Sequence, residues 1–215
     1  MIDLTSPYLW YISRATGSVS LVLLTLVVVL GILIANRVGG KAVGRFEISE
    51  LHRMVSMSAV IFIALHVVAT VIDSYVPTGL ISSVVPMSSS YRRIPVAVGA
   101  VALDLLIAVW VTSLVQEKMR NVTWRLIHWL SYPMYAAAVL HGFLTGSDSH
   151  QRWWLLLTGI SCLVFLGALT WRWWQRPSRA DGRTALSPLP GSGLSTQSTR
   201  RARQVDRPVP GRKRY

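Results

Sequence analysis

The chain has 215 residues, of which 52% are hydrophobic and only 14% charged. That balance excludes a disordered chain and an ordinary water-soluble domain, and it fits an integral membrane protein. The formal charge is +13, yet from position 175 onward ten Lys/Arg meet two Asp, so +8 of it sits in one terminal stretch whose single aromatic residue is Tyr215. With no aromatic residues among the arginines for bases to stack on, nothing points to nucleic acid.

Apolar runs of membrane-crossing length occupy 10–35, 51–74, 94–115, 124–145 and 153–174. They predict an all-α bundle of five transmembrane helices, forming one domain over residues 1–175. Arg14 alone precedes the body of the first run, whereas Arg37, Lys41 and Arg45 follow it, the reverse of a signal peptide. Lys118, Arg120 and Arg125 flank the third loop, and the arginine-rich segment follows the fifth run. These basic stretches belong on the cytoplasmic side of a multi-pass protein of the cell membrane, with the N-terminus outside and the C-terminus cytoplasmic. Asp3, the Ser/Pro/Gly-rich loop 75–91 and a short loop with Asp148 and His150 then face outward, with Arg92 and Arg93 as exceptions. Tyr8, Trp10, Tyr11, Tyr75, Tyr91, Trp153 and Trp154 form an expected outer aromatic belt, and Trp124, Trp171, Trp173 and Trp174 an inner one. Residues 176–215 are rich in Pro, Ser, Gly and Arg without apolar periodicity, which predicts a disordered basic tail touching anionic lipid headgroups. The one cysteine, Cys162, rules out an intrachain disulfide and reads as a small buried residue; no CxxCH motif is present.

Two pairs of histidines carry the chemistry. His52 and His66 lie fourteen residues apart in the second run, and His128 and His141 thirteen apart in the fourth. Those spacings rise about 21 Å and about 19.5 Å along a helix. The second and fourth runs cross in the same direction, so His52 pairs in depth with His128, and His66 with His141. Histidines inside membrane spans are functional candidates. The geometry suits two bis-histidine haems, non-covalent and therefore b-type, stacked across the bilayer. A zinc or single-iron site fits poorly, since HxxxH and HExxH are both absent. The competing reading is four structural histidines bonded to serines or carbonyls.

On the second helix His66 lies about 40° from the direction of His52, with Ser56 and Ala59 between them leaving room for a flat macrocycle. On the fourth, thirteen positions leave His141 about 140° from His128, and Pro133 offers a kink that re-aims them. Ala136, Ala137 and Ala138 clear space beside His141. His150, in an outer loop, reads as an ordinary exposed histidine.

The segments SRATGSVSLVLLTL, LHRM to ALHVV, VALDLLIAVWVTSL and WRLIHWLSYPMYAAAVLHGFLTG, covering about 13–146, resemble the ferric reductase-like transmembrane domain family. That family includes ferric reductases, NADPH oxidases and the haem-binding membrane subunit of a periplasmic methionine sulfoxide reductase system. The resemblance implies two haem b groups passing electrons across the bilayer. His52 and His128 would be the axial iron ligands on the cytoplasmic side, and His66 and His141 those on the outer side.

Relatives with a cytoplasmic flavin and nicotinamide domain differ from this chain, whose basic tail carries no GxGxxG. Its electron donor is then a separate flavoprotein reductase or quinol. Its acceptor is extracytoplasmic: ferric iron, a flavoprotein or a reductase. The chain would be a ferric reductase-like component or the haem-containing anchor of a periplasmic reductase; the reading from another class is a non-redox scaffold or transporter.

Among supporting residues, Arg53, Arg125 and Lys118 near the inner site, and Arg92, Arg93 and Arg152 near the outer, are candidate partners for haem propionates. Asp104, deep in the third run, calls for a partner: Arg14, a ligand histidine, or a proton relay. Tyr132, Met134 and Tyr135 lie between the histidine depths, as packing or as groups between the haem edges.

Overall fold

The structure, a computed structural model, describes residues 8–39, 44–73, 79–90, 92–145 and 151–174. Of these, 87% are helical and none lies in a strand. Helix α1 spans Tyr8–Ala35, α2 Arg45–Ile72, α3 Leu80–Val84, α4 Arg93–Leu114, α5 Asn121–His128, α6 Ser131–Thr145 and α7 Arg152–Trp174, with a short 3-10 turn at Gln116–Lys118. The terminal basic tail, Asp3, Lys41, Tyr75, Tyr91, Asp148 and His150 lie outside the described residues.

Four helices, α1, α2, α4 and α7, are long and apolar enough to cross a membrane. Backbone polar groups have no partner in lipid, so a helix that bonds them internally is the form such sequences take. The expected fourth of five spans is not continuous: it breaks between α5 and α6 at Trp129 and Leu130. Pro133 supplies the physical reason. It has no N–H to give the Trp129 carbonyl, and its ring would collide with that carbonyl in a regular helix. The Trp129 carbonyl instead accepts from Tyr132 N at 3.2 Å, and Leu130 N donates to Ile127 at 2.9 Å. The tighter turn ends α5 at His128, and the helix restarts as α6 at Ser131. Fifteen residues long, α6 rises about 22 Å, short of a bilayer core of about 30 Å.

Helix α2 packs along α1, and α4 along α6 and α5, while α7 and α6 both touch α1. The core grows from one stripe of α1, Leu21, Leu24, Val28 and Ile32, spaced to share a face. Against it lie Ala59 of α2, Met134 and Tyr135 of α6 and Trp154 of α7. Trp154 therefore belongs to the core and not to the outer belt expected of it: Gly142 leaves the space its ring fills. Large apolar side chains such as Ile61, Leu156 and Leu163 face outward, as they do toward lipid. Cys162 is half-buried in α7 with a free thiol.

Asp104 is half-buried on α4, and among the described residues no hydrogen bond or ion pair reaches it. The expected partner, Arg14, lies instead with its guanidinium 4.7 Å over the Trp10 ring.

Tyr135, only 1% exposed, joins α6 to α1 midway along the bundle. Thr25 gives its hydroxyl proton to the Leu21 carbonyl at 2.8 Å, so in the 2.9 Å bond between them Tyr135 is the donor. Tyr135→Phe removes this bond while keeping the ring packed on Phe165, 4.4 Å between centres. The expected cost is about 0.6 kcal/mol, with about 1.7 kcal/mol as the upper bound for a buried bond between membrane helices, read from thermal unfolding in detergent.

Candidate functional site

The four membrane histidines meet in two pairs. His52 and His128 have ring centres 6.4 Å apart, and His66 and His141 6.3 Å apart. The partners are those expected from matching depth, which places α2 parallel to the α5–α6 segment. The break after His128 accomplishes what an unbroken helix could not, bringing two histidines thirteen residues apart onto the side facing α2.

Three of the four rings are anchored from behind by a main-chain carbonyl of a neighbouring helix. His66 Nδ1 donates to the Ser13 carbonyl at 2.7 Å, His141 Nδ1 to the Pro95 carbonyl at 2.8 Å, and His52 Nδ1 to the Val27 carbonyl at 3.1 Å. A carbonyl can only accept, so in the neutral imidazole Nδ1 carries the proton and the lone pair is left on Nε2. This second bond is the one that orients a metal-ligating histidine.

Space for the rings comes from glycines one helical turn beyond each carbonyl. A Cβ at Gly17 would sit 3.1 Å from His66, and one at Gly31 3.5 Å from His52. At Gly99 it would fall inside contact distance of His141 Nδ1 and Cε1. The histidine-bearing turns are tied as well: Ser56, Thr70 and Thr145 donate to the carbonyls of His52, His66 and His141 at 2.6, 2.7 and 2.6 Å. Ser13 Oγ is bonded to Thr70 Oγ1 at 2.7 Å. Of these supporting positions only Ser56 stands out in the sequence, and as a small residue leaving space, not as a donor to the His52 carbonyl. Gly17 and Gly31 are, however, fourteen residues apart, as are Gly99 and Ser113 and also His52 and His66. That shared interval was the available signal.

A cavity of about 390 Å³ surrounds the outer pair, lined by His66, His141, Gly17, Gly99, Met134 and Arg14 among others. Its volume falls in the range of about 300–1,000 Å³ that encloses a ligand of drug size. Ala138 also lines it, consistent with space cleared by the alanine run. The inner pair lies outside this cavity, with the Trp124 ring stacked on His128 at 5.0 Å and 27°.

The basic residues divide. Arg14 and Arg92 line the outer cavity, and Arg92 also donates through Nη1 to the carbonyls of Leu144 and Thr145 at 3.2 Å each, capping α6. Arg93 donates to the Met87 carbonyl at 3.0 Å. Arg53 is exposed and bonded to Glu50 at 2.6 Å. Arg125, Lys118 and Arg152 are exposed.

The spacing passes a test of fit to a shared iron. A metal–imidazole bond of about 2.0 Å plus about 1.1 Å from nitrogen to ring centre would separate the centres of two imidazoles sharing one metal by up to about 6.2 Å, close to the 6.4 and 6.3 Å found here. Among the described residues no group of three or more His, Cys, Asp or Glu could hold an ion by itself. Each pair thus offers two ring nitrogens, a donor set that fits a group supplying its own remaining donors, as a macrocycle does.

A model of the family described as ferric reductase like transmembrane component matches residues 16–139, more than half of the chain. The match includes His52, His66 and His128, and ends two residues before His141. No curated protein and no solved structure matches the chain.

The anchoring bonds predict a fixed tautomer. NMR of the protein carrying nitrogen-labelled histidine should find His52, His66 and His141 protonated at Nδ1. Protonation at Nε2 on these rings would contradict the assignment.

Proposed function

Because the chain belongs to the ferric reductase-like transmembrane family, we propose that it transfers electrons across a membrane and holds two b-type haems, one between His52 and His128, the other between His66 and His141. The observation that carries this reading is the near-identical separation of the two pairs, 6.4 and 6.3 Å, with Nε2 left free on three of the four rings. A haem held by such a pair of imidazoles would supply single-electron exchange rather than oxygen binding.

The protein's part is positioning. Helices α2, α5 and α6 present the rings, and the carbonyls of α1 and α4 fix their planes. Met134, Tyr135 and Thr25 fill the space between the two levels and keep water out of it. Arg14 and Arg92 give the outer cavity positive charge suited to propionate carboxylates. At the inner level Arg125 is the better candidate, because Arg53 is already bonded to Glu50.

The broken α5–α6 segment acts as the fifth crossing. Arg37, Arg45, Lys118, Arg120, Arg125 and Arg172 cluster at the ends that then lie in the cytoplasm, which supports an outer N-terminus. In this orientation a cytoplasmic flavoprotein or quinol donates at the His52–His128 level. An extracytoplasmic ferric ion, flavoprotein or reductase accepts at the His66–His141 level. The basic sequence after α7 meets anionic headgroups on the donor side.

The test is a reduced-minus-oxidised visible spectrum of detergent-purified protein from haem-supplied cells, with pyridine haemochrome quantitation. Two haem b per chain are expected. His66→Ala and His128→Ala should each lose one. Gly99→Ala should lose the outer haem, whereas Gly31→Ala, with 3.5 Å of room, should keep both. A colourless protein would overturn the proposal.

A further inference from the structure

Three of the four histidines follow one rule. The ring donates from Nδ1 to the carbonyl of a residue on the backing helix, and four residues later that helix has a glycine: Ser13 and Gly17, Val27 and Gly31, Pro95 and Gly99. His128 occupies the fourth position of this arrangement, opposite Val109 and Ser113 on α4. There the rule changes. The residue fourteen positions after Gly99 is Ser113; its hydroxyl donates to the Val109 carbonyl at 2.7 Å and stands 3.5 Å from His128 Nδ1. The serine side chain thus takes the place that the imidazole N–H takes at the other three sites. It is positioned to relay the bond: His128 Nδ1–H to Ser113 Oγ, and Ser113 O–H to the Val109 carbonyl.

His128 is the exception in two further ways. Its helix ends at it, and the residue four positions on is Tyr132 rather than the Ser or Thr that ties the other three turns. Its ring is held instead by the Trp124 stack.

Resting on the two-haem reading above, we propose that Ser113 is a positioning residue whose hydroxyl sets the inner haem's reduction potential apart from that of the outer one. The physical basis is the acceptor at Nδ1. A strong acceptor there raises the basicity of the ligating nitrogen and stabilises oxidised iron. Carbonyls at 2.7 and 2.8 Å serve both outer ligands. At the inner level one ligand has a carbonyl at 3.1 Å and the other a hydroxyl at 3.5 Å, the outer limit of a hydrogen bond.

The experiment is a spectroscopically resolved redox titration of the full-length, haem-loaded protein and three variants. Ser113→Ala leaves His128 Nδ1–H without its acceptor, so the inner midpoint should rise. Ser113→Gly recreates the arrangement of the other three sites and opens the Val109 carbonyl to a direct bond, so the inner midpoint should fall. Ser113→Thr keeps the hydroxyl and should match the wild type. The outer midpoint should stay fixed throughout, which also reports an intact bundle. A role in packing alone would move the alanine and glycine variants in the same direction. That result, an unchanged inner midpoint in Ser113→Ala, or loss of the inner haem in Ser113→Gly, would overturn the proposal while leaving two haems in the wild type. A wild-type protein without haem would overturn the two-haem reading and this inference with it.

Discussion

The bond from an imidazole Nδ1–H to a main-chain carbonyl of the next helix is the constraint around which the rest of the bundle is arranged. A helical carbonyl already accepts the N–H four residues ahead, and its second lone pair is reachable from the side only if the residue at that next N–H has no side chain in the way. Glycine at 17, 31 and 99 meets that condition. Once the ring is docked, its remaining nitrogen and its plane are determined together. Helices α1 and α4 therefore act as backing helices, and α2 with the α5–α6 segment carry the four histidines. The histidine helices are each packed on a backing helix, not on one another, which leaves the space between them for a flat group.

The same constraint makes the break at Trp129 and Leu130 useful. Two rings fourteen residues apart on a straight helix face nearly one direction, as His52 and His66 do. Thirteen residues do not achieve this, so the second histidine-bearing segment must be re-aimed between its histidines. Pro133 forces the re-aiming by denying the Trp129 carbonyl its helical donor. The consequence is that His128 sits at a helix end, without the hydroxyl tie of the other three histidines. Ser113 and Trp124 supply its orientation instead. The inequivalence of the two levels is thus a consequence of helix geometry.

Much of this was legible in the residues. Four of the five apolar runs are long helices, and the nearly equal histidine spacing, fourteen and thirteen residues, on parallel runs pointed to the two pairs. What escaped was chemistry carried by the backbone: a carbonyl has no letter in the sequence, and a glycine at the right interval looks like any glycine in an apolar run. The contacts of the long basic side chains were not legible either. Arg53 is nearest His52 in sequence, but one turn away stands Glu50, and the local i to i+3 pair takes it. Arg14, one of the candidate partners for Asp104, lies over Trp10 and lines the outer cavity. Trp154 begins α7 as a belt residue would, but Gly142 opens a slot into the core.

The central claim is that the two histidine levels together carry electrons from one side of a bilayer to the other. The most direct measurement uses sealed proteoliposomes with ferricyanide trapped inside and a membrane-impermeant reductant outside, followed by the loss of ferricyanide absorbance. The account predicts that wild-type protein reduces the enclosed ferricyanide and that His66→Ala does not, although its remaining haem still reduces. An enclosed acceptor that stays oxidised while the haems of the wild type become reduced would contradict it.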